Sequence, residues 1–309
     1  MKVEVSNLRK HFGRTRAVDG ISFRFAAGQV FGFVGPNGAG KTTTMRILAT
    51  LDEPTEGDAM INGVSVTQYP EEARRMIGFV PDSLPEHGDM TSREYLDFFA
   101  RAYGLKGRKR RAAVEAVEEF ANLTELREKM LKELSKGMKQ RLSLGRALIH
   151  DPAVLIMDEP AAGLDPRARV ELRELLGLLA RQDKAILISS HILTELTEIC
   201  NGVIIIERGK LLEQGTIAEV SERGKRKRAV VIRTVDRIED LCRRLLEMPG
   251  VGAVNRVDSE VVVEVDGDEA ACSDLLAELV RAGFRVAEFR QKKADLEDIF
   301  MSVTKGEVQ

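Results

Sequence analysis

Residues 35–43 read GPNGAGKTT, and this stretch decides the fold. It follows the apolar run QVFGFV and precedes TTMRILATL, whose apolar residues recur at helical spacing. The glycines let backbone N–H groups turn inward around phosphate oxygens, and Lys41 supplies charge at the outer phosphates. The Thr42 hydroxyl is placed to ligate Mg²⁺. We therefore predict a P-loop between a strand and a helix. Its nucleotide-binding residues are Gly35, Pro36, Asn37, Gly38, Ala39, Gly40, Lys41, Thr42 and Thr43.

Composition limits the classes of protein that this chain can belong to. Its 309 residues suffice for one large domain and a small one. The contents of 43% hydrophobic and 31% charged residues are typical of a soluble globular protein, and the net charge of -2 gives no general attraction to nucleic acid. No apolar run approaches the roughly 20 residues that cross a bilayer. Cys200, Cys242 and Cys272 lie far apart, which predicts reduced thiols and a cytoplasmic location.

Strands and helices alternate through most of the chain. The apolar strand AVLIMD is followed by the helical pattern ARVELRELLGLLARQ and the strand AILISSH, which predicts a mainly parallel sheet. Residues from about 90 to 150 are almost wholly helical in pattern, so we interpret them as an inserted helical subdomain. We assign residues 1–220 to one α/β domain.

A composition break at SERGKRKR, residues 221–228, predicts a basic linker. Its charges, like those of Arg108–Arg111, suit either solvated surface or contact with lipid headgroups or nucleic acid. Beyond it, residues 229–309 follow the order strand, helix, strand, strand, helix, strand. This order predicts a small α+β ferredoxin-like domain.

Two adjacent carboxylates end the strand AVLIMD. Asp158 can hold Mg²⁺, and Glu159 is placed to polarise an attacking water. An Asp-Glu pair is weak evidence alone, but after an apolar run in a chain with a P-loop it indicates nucleotide hydrolysis.

Three further motifs make the resemblance specific: LSKGMKQRLSLGRAL at 134–148, GLDP at 163–166 and ISSH at 188–191. With the P-loop and Asp158-Glu159, this order resembles the ATP-binding subunit of ABC transporters, over about residues 1–220. The layout and the terminal ADLEDIFMSVT also resemble the drug, antibiotic, polysaccharide and gliding-associated export branch. In that branch the permease is a separate chain.

The resemblance implies roles for residues outside the P-loop. Ser135 and Gly137 would face the γ-phosphate of ATP held by a second subunit, so that two ATP molecules are sandwiched in a head-to-tail dimer. Phe12 would stack on adenine, and Asp165 would line the nucleotide site. His191 would contact the γ-phosphate, and we group it with Glu159 as catalytic.

The chain departs from the family pattern at three places. The signature, commonly LSGGQ, has Lys136 at its third position. Asp82 replaces a glutamine, and we group it with the Mg²⁺ ligands Thr42 and Asp158, although a carboxylate cannot donate an amide hydrogen bond. Ala162 replaces a hydroxyl residue before GLD.

The sequence thus predicts a subunit that binds and hydrolyses ATP with Mg²⁺ and energises an integral membrane permease for export. We expect it at the cytoplasmic face of the cell membrane, paired with a second ATPase subunit and without nucleic acid. The alternative is a soluble ABC ATPase acting on ribosomes or DNA, but such members usually carry two cassettes or long coiled coils. An aromatic stripe of helical spacing fits either a subdomain core or a permease-docking groove. Its members are Tyr95, Phe98, Phe99 and Tyr103.

Overall fold

The structure is a computed structural model that describes residues 2–82, 89–190, 196, 199–217, 219–220 and 227–291. Contacts divide these residues into two units, one ending at Ile217 and the other lying beyond it. The predicted catalytic residue His191, most of the predicted basic linker and the segment ADLEDIFMSVT lie outside the described residues.

The first unit contains ten strands and six α-helices among its described residues. The strands are β1 (Lys2–Phe12), β2 (Thr15–Ala26), β3 (Val30–Val34), β4 (Glu56–Ile61), β5 (Val64–Ser65), β6 (Ile77–Val80), β7 (Val154–Met157), β8 (Ala185–Ser190), β9 (Gly202–Glu207) and β10 (Lys210–Thr216). The helices are α1 (Lys41–Leu48), α2 (Pro70–Met76), α3 (Ser92–Ala102), α4 (Gly107–Phe120), α5 (Lys136–Leu148) and α6 (Pro166–Arg181).

A six-stranded sheet of order β10-β9-β3-β8-β7-β6 carries the site. Its neighbours pair in parallel except for the antiparallel pair β9 and β10. Every residue of β3 (VFGFV) and β7 (VLIM) is buried, as expected for strands covered on both faces. The prediction of a mainly parallel sheet is confirmed. Because β3, β7 and β8 run in the same direction, the loops after them meet at one edge of the sheet.

The first strands form a second sheet. It is antiparallel, in the order β2-β1-β4-β5, and β1 alternates buried Val3 and Val5 with exposed neighbours. These side chains join Phe23 and Phe33 in one core that both sheets share. The sheet therefore packs directly beside the strand that leads into the P-loop.

The predicted helical stretch consists of α3, α4 and α5, with two short 3₁₀ turns between α4 and α5. Helix α3 starts at a capping box, in which Thr91 and Glu94 each accept a hydrogen bond from the other's backbone N–H. Glu118 of α4 is 1% exposed and is paired with Arg127 at 2.6 Å and with Arg93 at 3.6 Å. This ion-pair network ties α3 and α4 to the segment that leads into α5.

The second unit has strands in the order β12-β13-β11-β14, all antiparallel. Its elements are β11 (Lys227–Thr234), α7 (Ile238–Leu246), β12 (Val251–Val257), β13 (Glu260–Asp266), α8 (Glu269–Arg281) and β14 (Val286–Gln291). Inward-facing Val261, Val263 and Val265 pack with Leu241 and Leu279 of the two helices. The predicted ferredoxin-like order of elements is confirmed. Among the described residues, no helix combines the length and apolar character that a bilayer span requires.

Candidate functional site

The predicted P-loop lies between β3 and α1, at the carboxyl edge of the parallel sheet. Two of its glycines have no room for a side chain: a Cβ on Gly35 would overlap the carbonyl oxygen of Ile206, and one on Gly40 that of Ala17. Gly40 also has a φ of 102°, which L residues rarely adopt. The bare backbone is therefore fixed by β9 and β2 packed behind it, while Asn37 and Gly38 remain exposed.

Lys41 is the first residue of α1 and is only 7% exposed. Its Nζ donates hydrogen bonds to the carbonyl oxygens of Gly35 at 2.7 Å and Pro36 at 3.2 Å. Burial lowers the pKa of Lys41 below its ordinary value, and the nearby carboxylates of Glu159 and Asp158 act in the opposite direction. The folded loop thus holds a partly desolvated amine close to two acids.

Asp158 and Glu159 follow β7 and are tied to β8. The buried Asp158 accepts a hydrogen bond at Oδ1 from the Ser189 hydroxyl at 2.6 Å. The same hydroxyl accepts from the backbone N–H of Glu159 at 2.8 Å, and Glu159 has a φ of 49°. Ser189 therefore fixes the Asp158 carboxylate and the backbone of Glu159. Our sequence reasoning did not single it out, although small hydroxyl residues closing the apolar strand AILISS were a usable signal.

The predicted Mg²⁺ ligands come from three places in the chain: the start of α1, the end of β7 and the segment after β6. Thr42 is exposed on the first turn of α1, Asp158 is buried after β7, and Asp82 is exposed two residues after β6. Hydroxyl and carboxylate oxygens are the hard donors that Mg²⁺ prefers, so the residue types fit this ion. The next hydroxyl residue, Thr44, points back into the helix and donates to the Gly40 carbonyl at 2.8 Å.

Phe12 ends β1 and is 54% exposed. The Lys10 ammonium lies 5.1 Å from the ring centroid. An exposed aromatic ring offers a face on which a base can stack. The adenine contact remains a prediction.

Ser135 and Asp165 begin two neighbouring helices. Ser135 caps α5 by accepting from the Met138 N–H at 3.3 Å, and Asp165 caps α6 by accepting from the Ala168 N–H at 2.9 Å. A Cβ on Gly137 would lie 3.5 Å from the Ala168 side chain, so the two helix starts are in contact. Both cap residues are exposed. The structure thus brings these predicted residues together on one surface.

The aromatic stripe on α3 is divided between core and surface. Tyr95 is 1% exposed, whereas Phe98 is 55% and Tyr103 41% exposed. Phe99 lies between them, with Tyr95 4.9 Å and Phe98 5.2 Å from its ring centroid. Tyr95 therefore belongs to the subdomain core, and the permease-docking groove stays a prediction for the exposed part of the stripe.

Comparison with protein families gives two matches that together span most of the chain. A family described as "ABC transporter" matches residues 18–162, which include the P-loop, the turn at Ser135 and both acids after β7. A second, described as "ATP-binding protein DrrA1-3-like, C-terminal domain", matches residues 215–304.

Curated relatives resemble the chain over nearly its whole length. The Nod factor export ATP-binding protein I of Paraburkholderia xenovorans (strain LB400) is 35% identical, over 99% of this chain and 98% of the relative. An uncharacterized ABC transporter ATP-binding protein, YxlF of Bacillus subtilis (strain 168), is 34% identical, over 97% of this chain and 99% of the relative.

Solved structures match about 70% of the chain. An ATP-binding subunit of an ABC transporter superposes with a TM-score of 0.66 at 29% identity, covering 72% of this chain and 93% of that structure. A dimeric ATP-binding cassette in a post-hydrolysis state, bound to ADP and Pi, gives a TM-score of 0.63 at 24% identity, over 69% of this chain and 98% of that structure. The latter likeness concerns the fold alone.

Proposed function

The chain belongs to the family of ABC transporter ATP-binding subunits, which hydrolyse ATP to energise a membrane permease. We propose that this chain drives export and that its permease is a separate chain. The relatives named as export proteins and aligned over nearly full length support this direction. The likeness to them extends through the second unit, which carries the family match at 215–304.

One observation carries the catalytic assignment: Lys41, Asp158, Glu159 and Ser189 meet at the carboxyl edge of the parallel sheet. In our proposal the backbone of residues 35–43 cradles the phosphates of ATP, and Lys41 turns from the Gly35 and Pro36 carbonyls to the outer phosphates. Glu159 then polarises the water that attacks the γ-phosphate, giving ADP and phosphate. Thr42, Asp158 and Asp82 would hold Mg²⁺, which neutralises phosphate charge when bound.

We assign the second half of each site to a second copy of the chain. The starts of α5 and α6 present Ser135, Gly137 and Asp165 on an exposed surface, separate in sequence from the P-loop. Free backbone N–H groups at a helix start favour an anion. The terminal phosphate of ATP on the second subunit is the anion we propose, which makes the dimer dependent on nucleotide. In this scheme Phe12 stacks on adenine, and His191, outside the described residues, contacts the γ-phosphate.

The exposed half of the α3 aromatic stripe is our proposed contact for the permease. Phe98 is a large ring left in solvent, whereas the partly exposed Tyr103 stacks on the His150 ring with 3.8 Å between the ring centroids. Arg146 holds the stripe to the core, with its guanidinium 5.3 Å from the Phe99 ring and hydrogen-bonded to the Phe79 carbonyl at 2.7 Å. A short amphipathic permease helix could lay its apolar side on such rings. This contact would hold the subunit at the cytoplasmic face of the membrane.

Glu159→Gln tests the hydrolytic site. The amide keeps the size of the side chain but cannot act as a base, so turnover should fall by about 100-fold or more while ATP still binds. The unreacted ATP should hold two subunits together, and the variant should elute as a dimer with Mg-ATP and as a monomer without it. Hydrolysis at the parent rate would remove Glu159 from the mechanism, and a monomer at high protein concentration with ATP would contradict the shared site.

Phe98→Ala tests the permease contact, with Tyr69→Ala as its matched control because Tyr69 is an exposed ring, at 57%, just before α2. We expect recovery of the co-expressed permease to fall for Phe98→Ala and to stay at the parent level for Tyr69→Ala. Equal recovery for both variants would argue against this docking surface.

A further inference from the structure

Lys136, the residue that departs from the family's glycine, lies across the loop that follows Glu159. A Cβ built on Gly163 would lie 2.6 Å from Lys136 Nζ, 3.4 Å from its Cε and 3.5 Å from its Cδ. The end of the lysine side chain, with Nζ nearest and Cε and Cδ next, therefore lies over the bare backbone of Gly163, which has a φ of 66°. Twenty-seven positions of sequence separate the two residues.

Packing accounts for this placement better than charge does. Among the described residues, no carboxylate lies within ion-pair distance of Lys136, which begins α5 on the surface. A lysine commonly lays its methylene chain along a surface, and here the last two methylene groups lie over the loop together with the ammonium group. Gly163 provides the flat surface that the stem needs.

The covered loop, residues 159–165, connects the hydrolytic acid to the cap of α6. Two hydrogen bonds shape it: Ala162 N–H to the Glu159 carbonyl at 3.1 Å and Leu164 N–H to the Ala161 carbonyl at 3.2 Å. It begins at Glu159, whose N–H is fixed by Ser189, and it ends at Asp165. A side chain lying on its middle can therefore influence both ends.

We propose that Lys136 is a positioning residue, whose stem fastens the start of α5 to the 159–165 loop so that Ser135, Asp165 and Glu159 move as one body. This inference rests on the proposed function, because it assigns those three residues to nucleotide contact and hydrolysis. Lys136 itself touches no nucleotide of its own subunit in this scheme. Losing the stem lowers kcat and leaves the affinity of the free subunit for ATP unchanged.

A set of Lys136 variants separates the stem from the charge. Lys136→Gly should lower kcat by about threefold to tenfold, the range expected when a contact between neighbours is lost. Lys136→Met keeps an unbranched stem without the ammonium and should recover most of the lost turnover. If Lys136→Met falls as far as Lys136→Gly, the charge matters and the packing proposal is overturned. An unchanged kcat in Lys136→Gly also overturns it.

A double-mutant cycle with Gly163→Ala tests the contact itself. The new Cβ would displace the lysine and would also strain a backbone with positive φ, but the strain is the same whether or not the lysine is present. The loss of kcat caused by Gly163→Ala should therefore be at least about threefold smaller in the Lys136→Gly background. Additive losses would show that the two residues are not coupled.

The same cycle measured by denaturant unfolding distinguishes failure of this inference from failure of the proposed function. If the parent protein does not bind or hydrolyse ATP, the proposed function falls, but coupling in the unfolding free energy still reports the contact. If ATP is hydrolysed and kcat shows no coupling, the inference alone is wrong, whether or not the unfolding free energy shows coupling.

Discussion

Helices α1 and α5 both begin at a site that we assign to phosphate, yet their first turns are built in opposite ways. Helix α1 begins after Gly40, has no side-chain cap, and buries its first residue, Lys41. Helix α5 begins after Ser135, which caps it, and both Ser135 and Lys136 are exposed. The first is a cradle completed by the chain's own strands, and the second is an open surface. In the proposed function, this difference would let one subunit hold ATP by itself and would make a second copy necessary for hydrolysis.

The largest expected effect is a loss of ATP affinity when the P-loop lysine is removed. Lys41→Ala removes the cation proposed to contact the outer phosphates, and ATP affinity should fall on the order of 100-fold, about 3 kcal/mol. Isothermal titration calorimetry measures this, and circular dichroism should show a retained fold. Lys132→Ala, an exposed lysine just before α5, is the charge-matched control and should bind ATP like the parent. Unchanged affinity in Lys41→Ala would contradict the P-loop assignment.

The second effect tests how tightly the cradle is packed. Gly40→Ala places a methyl group against the Ala17 carbonyl at a φ of 102°, whereas Gly38→Ala meets nothing within 4 Å at a φ of 77°. We expect Gly40→Ala to lower the unfolding free energy by about 2–3 kcal/mol and Gly38→Ala by about 1 kcal/mol. Urea denaturation compares the two. Equal losses of unfolding free energy would mean that glycine is needed at position 40 only for its positive φ, and not because β2 packs against it.

The open surface should respond more mildly. Ser135→Ala removes the cap of α5, which costs about 1 kcal/mol of stability, and it removes one proposed contact to the second subunit's ATP. We expect turnover to fall about tenfold at constant ATP affinity of the free subunit. Asp268→Ala is a matched control, since it removes a helix cap from α8 in the second unit. A loss of ATP affinity in Ser135→Ala equal to that in Lys41→Ala would erase the distinction between the two helix starts.

The smallest effect concerns the far end of α5, where His150 contacts β6. Its Nε2 lies 3.0 Å from the Ile77 carbonyl oxygen and must be the donor, so Nδ1, which is buried without a partner, would gain the extra proton. Burial lowers the pKa of His150, against a smaller raising effect of the Ile77 bond. As pH falls through about 6.5 the unfolded chain is protonated first, so stability is lost from there down to the lower folded pKa.

His150→Asn keeps a donor and removes this titration. Between pH 7.5 and 5.5 the parent should lose more unfolding free energy than the variant, by less than about 1.4 kcal/mol for each unit of pKa difference. Chemical denaturation at both pH values measures this difference. A parallel decline of the two proteins would show that His150 does not titrate within the fold.

The P-loop could be predicted from the sequence because its residues are close together in the chain. Its glycines, lysine and hydroxyls lie within nine residues between a strand and a helix, and each chemical role follows from that spacing. The pair Asp158-Glu159 was readable because an apolar run ends there. The order of the second unit followed from alternating apolar patterns, which local propensity and burial determine together.

Pairings between distant residues were decided only by the tertiary structure. The sequence predicted strands in residues 1–34 but not that β1 and β2 join β4 and β5 in a separate antiparallel sheet, because strand pairing is non-local. Ser189 acquired its role only when β8 came to lie beside β7. The division of the α3 stripe into buried Tyr95 and exposed Phe98 depends on which elements cover each face of the helix.

Residue types and their spacing thus determined which chemistry this chain can perform, since phosphate binding and water activation need particular groups on adjacent loops. Folding decided which of those groups lie buried together and which are left on an exposed surface. Lys136 shows most clearly what the sequence alone leaves open. The sequence shows that Lys136 departs from the family's signature motif, but only the packing of α5 against the 159–165 loop places its side chain on Gly163. The physical reason is that packing depends on three-dimensional neighbours, which no local pattern encodes.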